Sequence, residues 1–149
     1  MAVGMLVLVS KQVYAQEVQV IRPLRFGTVA VLDNDSVGSI SIDYLGNTRI
    51  STNFAVVELP STGIFRLVGY PANATLVVTG AVIQAQTTSP QASPEQFELV
   101  SVDTPLSVNI ESDGTAEFSV GGELVTSGST IETFGNQEYT ARLLITVNF

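Results

Sequence analysis

The sequence predicts an all-β fold: an immunoglobulin-like β-sandwich of about ten short antiparallel strands, with a closed β-barrel as the alternative. Three observations predict it. Apolar, β-branched and aromatic residues recur with a period of two, and helical periodicity is hard to find. Clusters of Gly, Pro, Asn and Asp cut the chain into short runs. The chain has 149 residues, 45% hydrophobic and 13% charged, with 12 Gly and 6 Pro. That composition supplies one core for one domain and too few charges for a disordered acidic tail.

The elements follow in order. Ala2 to Ser10 form a short apolar run, too short to span a bilayer. Val13-Tyr14-Ala15 resembles a small-x-small cleavage site. Residues 1–15 therefore read as an export leader cut before Gln16, and residues 16–149 as a single β-sandwich domain. An ordinary buried first strand is the other reading of the same run. The mature chain would lose Lys11 and no acid, leaving 5 basic and 14 acidic residues and a net charge of −9. No later run approaches membrane-spanning length.

Val18 to Ile21 is the first expected strand, stopped near Pro23. Leu24 to Leu32 is the second, and Gly27 inside it marks a bulge or a close backbone approach. Asp33-Asn34-Asp35-Ser36 is a turn cluster. Val37 to Asp43 follows, with Gly38, Ile40, Ile42 and Tyr44 sharing one face. Thr48 to Ser51 and Phe54 to Leu59 come next. Ile64 to Tyr70 should turn Phe65, Leu67 and Gly69 inward, because the opposite choice buries Arg66. Pro71-Ala72-Asn73-Ala74 is a turn. Thr75 to Ile83 is the most hydrophobic strand and suits the middle of a sheet.

Gln84 to Pro94 is polar, holds two prolines and is expected to be an exposed loop. Phe97 to Val102, Leu106 to Glu111 and Thr115 to Val120 continue the strands. Glu111-Ser112-Asp113-Gly114 is a hairpin signal, because Asp-Gly accepts positive φ. Gly121-Gly122 should bend the chain before Glu123 to Thr126. In the closing run Glu138 to Phe149, the residues Tyr139, Ala141, Leu143, Ile145, Val147 and Phe149 alternate onto one face. A long alternating strand with a terminal aromatic must be hidden in a sheet.

Composition also excludes chemistry. The chain has no His, Cys or Trp. A Ser-His-Asp triad, a Cys nucleophile, a Cys/His zinc site and a disulfide framework are therefore impossible. Lys11 is the single lysine and falls in the expected leader, so the mature chain has none for a Schiff base or a phosphate loop. A net charge of −8 for the whole chain argues against a nucleic-acid partner, which needs a basic footprint. No catalytic set, cofactor site or metal site is expected.

The remaining signals are local. Asp33 and Asp35 form a D-x-D pair, but no full calcium loop follows, so a polar turn is the better reading. Glu111 and Asp113 are a carboxylate pair that nothing in the spacing singles out for acid–base work. Asn34-Asp35-Ser36 and Asn73-Ala74-Thr75 match the glycosylation pattern by accident. Tyr44, Tyr70 and Tyr139 could stack on sugars, although sheet and core roles are commoner.

The two termini carry the functional argument. Val18, Val20 and Ile21 lie in a short alternating segment set off from the body by Arg22-Pro23. Such a segment can act as a donor strand, and the closing strand, with Leu143, Ile145, Val147 and Phe149, can offer the edge that another chain recognises. Both patterns equally fit pairing within one chain.

Several stretches resemble a widespread family of secreted bacterial β-sandwich domains. Leu24-Arg25-Phe26-Gly27-Thr28-Val29 fits its L-x-F-G-x-[VI] pattern, and Gly38-Ser39-Ile40-Ser41-Ile42 a Gly-x-x-Ile-x-Ile strand. Phe65-Arg66-Leu67-Val68-Gly69-Tyr70-Pro71 fits F-x-[VL]-x-G-x-P, Gly121-Gly122-Glu123-Leu124 fits G-G-x-L, and Val147-Asn148-Phe149 fits the closing V-x-[YF]. Gln137 replaces the Gly expected two residues before Tyr139. The likeness spans nearly all of residues 16–149. The family in turn resembles chaperone–usher pilus subunits. That implies an exported fimbrial role with no enzymatic activity. Its partners would be copies of the chain or related subunits, a periplasmic chaperone and an outer-membrane usher. A monomeric exported module binding glycan or calcium is the alternative, because a fold is not a function.

Overall fold

Strand alternation sorts the apolar residues onto inward faces, and the tertiary structure decides which strands close over them. A computed structural model describes residues 16–92, 94–130 and 133–149. The expected leader, residues 1–15, lies outside the described residues. Among these residues there are eleven strands and no helix. They are β1 (Glu17–Arg22), β2 (Thr28–Val31), β3 (Ser39–Ile42), β4 (Thr48–Ile50), β5 (Phe54–Glu58), β6 (Gly63–Val68), β7 (Thr75–Thr88), β8 (Glu98–Asp103), β9 (Ser107–Asn109), β10 (Ala116–Val125) and β11 (Thr140–Asn148).

All pairings are antiparallel. The main sheet follows β1-β6-β10-β8-β7-β11, with β3 and β4 branching from β10 and β9 from β7. β2 and β5 form a separate ribbon. The path ends on two different strands, so the sheet does not close into a barrel, and the fold is consistent with a β-sandwich.

The sheet folds over a core in two parts. In the first, Phe65 and Leu67 of β6 and Ala116, Phe118 and Val120 of β10 meet Leu76 and Val78 of β7. Leu143, Ile145 and Val147 of β11 pack against that cluster. In the second, Ile40, Phe54, Phe97, Leu99 and Leu124 are buried together, and Val29 and Val31 of the ribbon lie on them. The rings of Phe97 and Phe134 stack at 4.3 Å, and Tyr139 meets Phe97 edge-on at 5.1 Å.

The expected faces hold for β3 and β6. Ile40 and Ile42 are buried, as are Phe65 and Leu67, while Arg66 stays exposed beside Glu117 on β10. The turn at Pro71–Ala74 places Asn73 at φ 61, a conformation its short polar side chain tolerates.

The expected strand Leu106–Glu111 shortens to Ser107–Asn109, and three further differences from the sequence reading shape the fold. β7 runs on to Thr88 instead of ending at Ile83, because Gln84 and Thr88 still pair with β11, and Gln86 with Glu98 of β8. The expected loop from Gln84 therefore starts only after Thr88. Between Leu24 and Leu32 only Thr28–Val31 is a strand, preceded by one isolated bridge from Arg25 to Ser61. Gly27 there has φ +82 and sits so close to β5 that a Cβ would lie 2.2 Å from the Glu58 carbonyl oxygen. Third, Gly121-Gly122 does not separate two strands. β10 continues through both residues, where its ladder with β6 gives way to ladders with β3 and β8. A Cβ on Gly121 would meet the Ile42 oxygen at 2.0 Å, and one on Gly122 the Ser101 oxygen at 2.7 Å. The pair serves close strand approach, not a turn.

Candidate functional site

The N-terminal segment lies in its own chain's sheet. β1 pairs with β6 in the register Val18–Leu67 and Val20–Phe65. Residues directly opposite in an antiparallel pair share a face. Since Phe65 and Leu67 point into the core, Val18 and Val20 point to that side as well. Yet Val18 is 37% exposed and Val20 60%. Among the described strands β6 is the single partner of β1. Ile21 falls at an irregularity in the ladder between Val20 and Arg22 and is also exposed. Arg22 ends the strand by donating from Nε to the Thr62 carbonyl at 3.0 Å and from Nη2 to the Thr62 hydroxyl at 3.2 Å.

β11 forms the opposite end of the sheet path. It pairs with β7 from Thr140–Thr88 to Asn148–Val77, with two shifts near Arg142. Leu143, Ile145 and Val147 are half-buried on the core side, and Leu144 faces out at 50% exposure. Among the described strands β7 is its single partner, so its other backbone edge carries no ladder. Phe149 lies past the strand end and is exposed, so the packed face stops at Val147. The structure thus places the two predicted segments on the two terminal strands of one sheet path, and does not pair them with each other.

Two of the acidic candidates, Asp33 and Asp113, hold polar neighbours in place. Asp33 Oδ1 accepts from the buried Asn53 amide at 3.0 Å. Asp113 Oδ1 accepts from the Thr115 N–H at 3.0 Å and hydroxyl at 2.7 Å, which holds its carboxyl below the usual carboxylate range. Asp43, held by Asn47, is lowered in the same way. Among the described residues no group of three or more acidic side chains is arranged to hold a metal ion. Tyr139 belongs to the aromatic cluster, its hydroxyl donating to the Gly135 carbonyl at 2.8 Å. Tyr70 packs against the first core cluster, and burial pushes its phenol up.

Sequence reasoning missed a polar latch at one end of the sandwich. Asn34 Nδ2 donates to the Ser129 carbonyl at 2.8 Å and to Glu95 at 3.0 Å, while its Oδ1 accepts from the Gly128 N–H at 3.1 Å. The Ser127 hydroxyl also donates to Glu95, which is buried. Glu95 and Ser127 border a cavity of about 190 Å³ beside Phe97. Asn34 and Glu95 are 61 residues apart, and no local pattern in the sequence joins them.

No curated protein and no solved structure matches this chain. One family model does, over residues 16–149, described as a domain of unknown function (DUF4402). That match covers most of the sequence, and the chain belongs to this family.

Proposed function

We propose that this chain is an exported, non-catalytic structural subunit of a bacterial surface fimbria, joined to its neighbours by β-augmentation. The observation that carries the proposal is the pair of unsealed terminal strands. β1 leaves core-facing Val18 and Val20 exposed, and β11 offers a long backbone edge that no other described strand pairs. An exposed alternating edge is a template for another strand, and proteins normally blunt it with charge, proline or a covering element. β11 has one charge, Arg142, and no proline.

In this reading the β1 segment, with Val18, Val20 and Ile21, is the donor. The β11 edge, backed by Leu143, Ile145 and Val147, is the surface that a periplasmic chaperone or a neighbouring subunit recognises. A strand added along a whole edge exchanges solvent for a ladder of backbone hydrogen bonds and seats alternate side chains, which gives slow dissociation. The apolar run before Gln16 supports export. The family's resemblance to pilus subunits supports the assembly role, and the absence of His and Cys leaves no triad or thiol nucleophile.

The test is the assembly state of the protein from its native host, by unboiled SDS gel and negative-stain microscopy. A ladder or filaments that disappear when residues 16–22 are deleted agree with the proposal. A clean monomer with or without that segment refutes it. The assignment then moves to a monomeric module, to be screened against glycans and calcium.

A further inference from the structure

We infer that the acceptor for the β1 donor is β6 of a second copy, in the same register that β1 holds on its own β6. The inference rests on the assembly reading above and names the partner surface within it. Four observations carry it.

First, β1 is attached almost entirely by one ladder. It pairs with β6 alone, and neither core cluster draws a residue from it. Removing β1 uncovers the edge of β6 but leaves Phe65 and Leu67 packed against β10 and β7. Second, the attachment is not specific to one molecule. The bonds along Glu17–Val20 are backbone bonds, and among the described residues the one side-chain tie from β1 into β6's surroundings is Arg22 to Thr62. A second copy presents the same donors and acceptors at the same spacing, so exchange keeps every contact.

Third, the ladder is already broken where an arm must depart. The register shifts between Val20 and Arg22, and Pro23 follows. Proline has no N–H to return to the ladder, and it holds the preceding residue extended. Beyond it Arg25 is held to its own Ser61 by a pair of backbone hydrogen bonds, so the hinge for exchange falls between Ile21 and Leu24. Fourth, charge does not oppose the exchange. The chain is strongly acidic, but β1 carries one acid and one base, and Gln19 lies opposite the cationic Arg66.

Reciprocal exchange closes a two-copy ring. Head-to-tail exchange leaves one arm and one β6 edge open at the ends and propagates as a filament. The fimbrial reading requires the second form.

The chain lacks cysteine, so introduced thiols report cleanly. Gln19 and Arg66 are register partners on the outer face. Cross-strand partners stand about 5 Å apart, within disulfide reach. Full-length Q19C and R66C chains, each with one thiol, are unfolded together, refolded together and oxidised. A Q19C chain with a T146C chain on β11 is the parallel reaction.

The expected result is a reducible Q19C–R66C two-chain product from assembled material, with no Q19C–T146C product. Filaments that cross-link Q19C to T146C and not to R66C overturn the β6 acceptor and leave the fimbrial reading standing. Cross-linking of Q19C to R66C in closed two-chain particles alone keeps the acceptor and overturns the fimbrial reading. Folded monomers with no interchain product, in which a Q19C/R66C double variant closes within its own chain, overturn both.

Discussion

Replacing Gly121 with alanine adds one methyl group where β10 passes between β3 and β8. The new Cβ would stand 2.0 Å from the Ile42 carbonyl oxygen and 2.6 Å from the Asp43 carbonyl carbon. A comfortable carbon–oxygen contact is about 3.3 Å, so β3 must withdraw by roughly 1.3 Å. Neither obstructing atom can rotate away, because both are backbone. That displacement weakens the nearest ladder bonds between β10 and β3, each worth about 0.5–1.5 kcal/mol. Overpacking adds about 1–3 kcal/mol, and the reduced freedom of the unfolded chain returns about 0.4–1 kcal/mol. The net expected loss is about 2–4 kcal/mol, a large share of the roughly 5–15 kcal/mol that holds a typical domain. The assay is equilibrium urea unfolding of Gly121→Ala against the parent. With a slope of about 1–3 kcal/mol per molar, the midpoint should fall by roughly 1–2 M. A loss under about 1 kcal/mol with an unchanged slope would refute the close-approach account.

Other outcomes follow from the same geometry. Leu143→Ala, on the packed side of β11, should cost about 2 kcal/mol, while Leu144→Ala on the outer side should cost under about 0.5 kcal/mol; equal costs in thermal unfolding would contradict the observed facing. Asn34→Ala removes both ends of the latch to Glu95, Ser129 and Gly128 and should destabilise by about 2 kcal/mol, with faster amide exchange at residues 126–130. Asp113 has a depressed folded-state pKa, so its contribution is present above the unfolded value and is lost as pH falls through the folded one. The melting temperature of Asp113→Ala should therefore trail the parent at neutral pH and converge with it below the usual carboxylate range. A gap that stays constant through that acid range would exclude the Thr115 hydrogen bonds as its cause.

Much of this fold is local and therefore legible in the sequence. Side chains alternate on any strand, so Ile40 and Ile42, Phe65 and Leu67, and Leu143, Ile145 and Val147 announce their inward faces wherever those strands pair. Turn chemistry is equally local, which is why Pro71–Ala74 and Glu111–Gly114 could be placed from residue types. What alternation cannot carry is a neighbour's identity. Gly121-Gly122 reads as a bend until β3 and β8 are seen pressed against both sides of β10. Gln84 to Thr88 reads as a polar loop until β11 pairs with it. Asn34 and Glu95 become one latch only when chain folding cancels the 61 residues between them. The candidate surface divides in the same way. The sequence determined that both termini could lie along a sheet edge, because period-two alternation is an intrinsic property of each segment. The tertiary structure decided that β1 rests on β6 with Val18 and Val20 exposed, and that β11 has no second partner among the described strands. Edge and interior strands share one local pattern, and strand pairing between distant segments alone separates them.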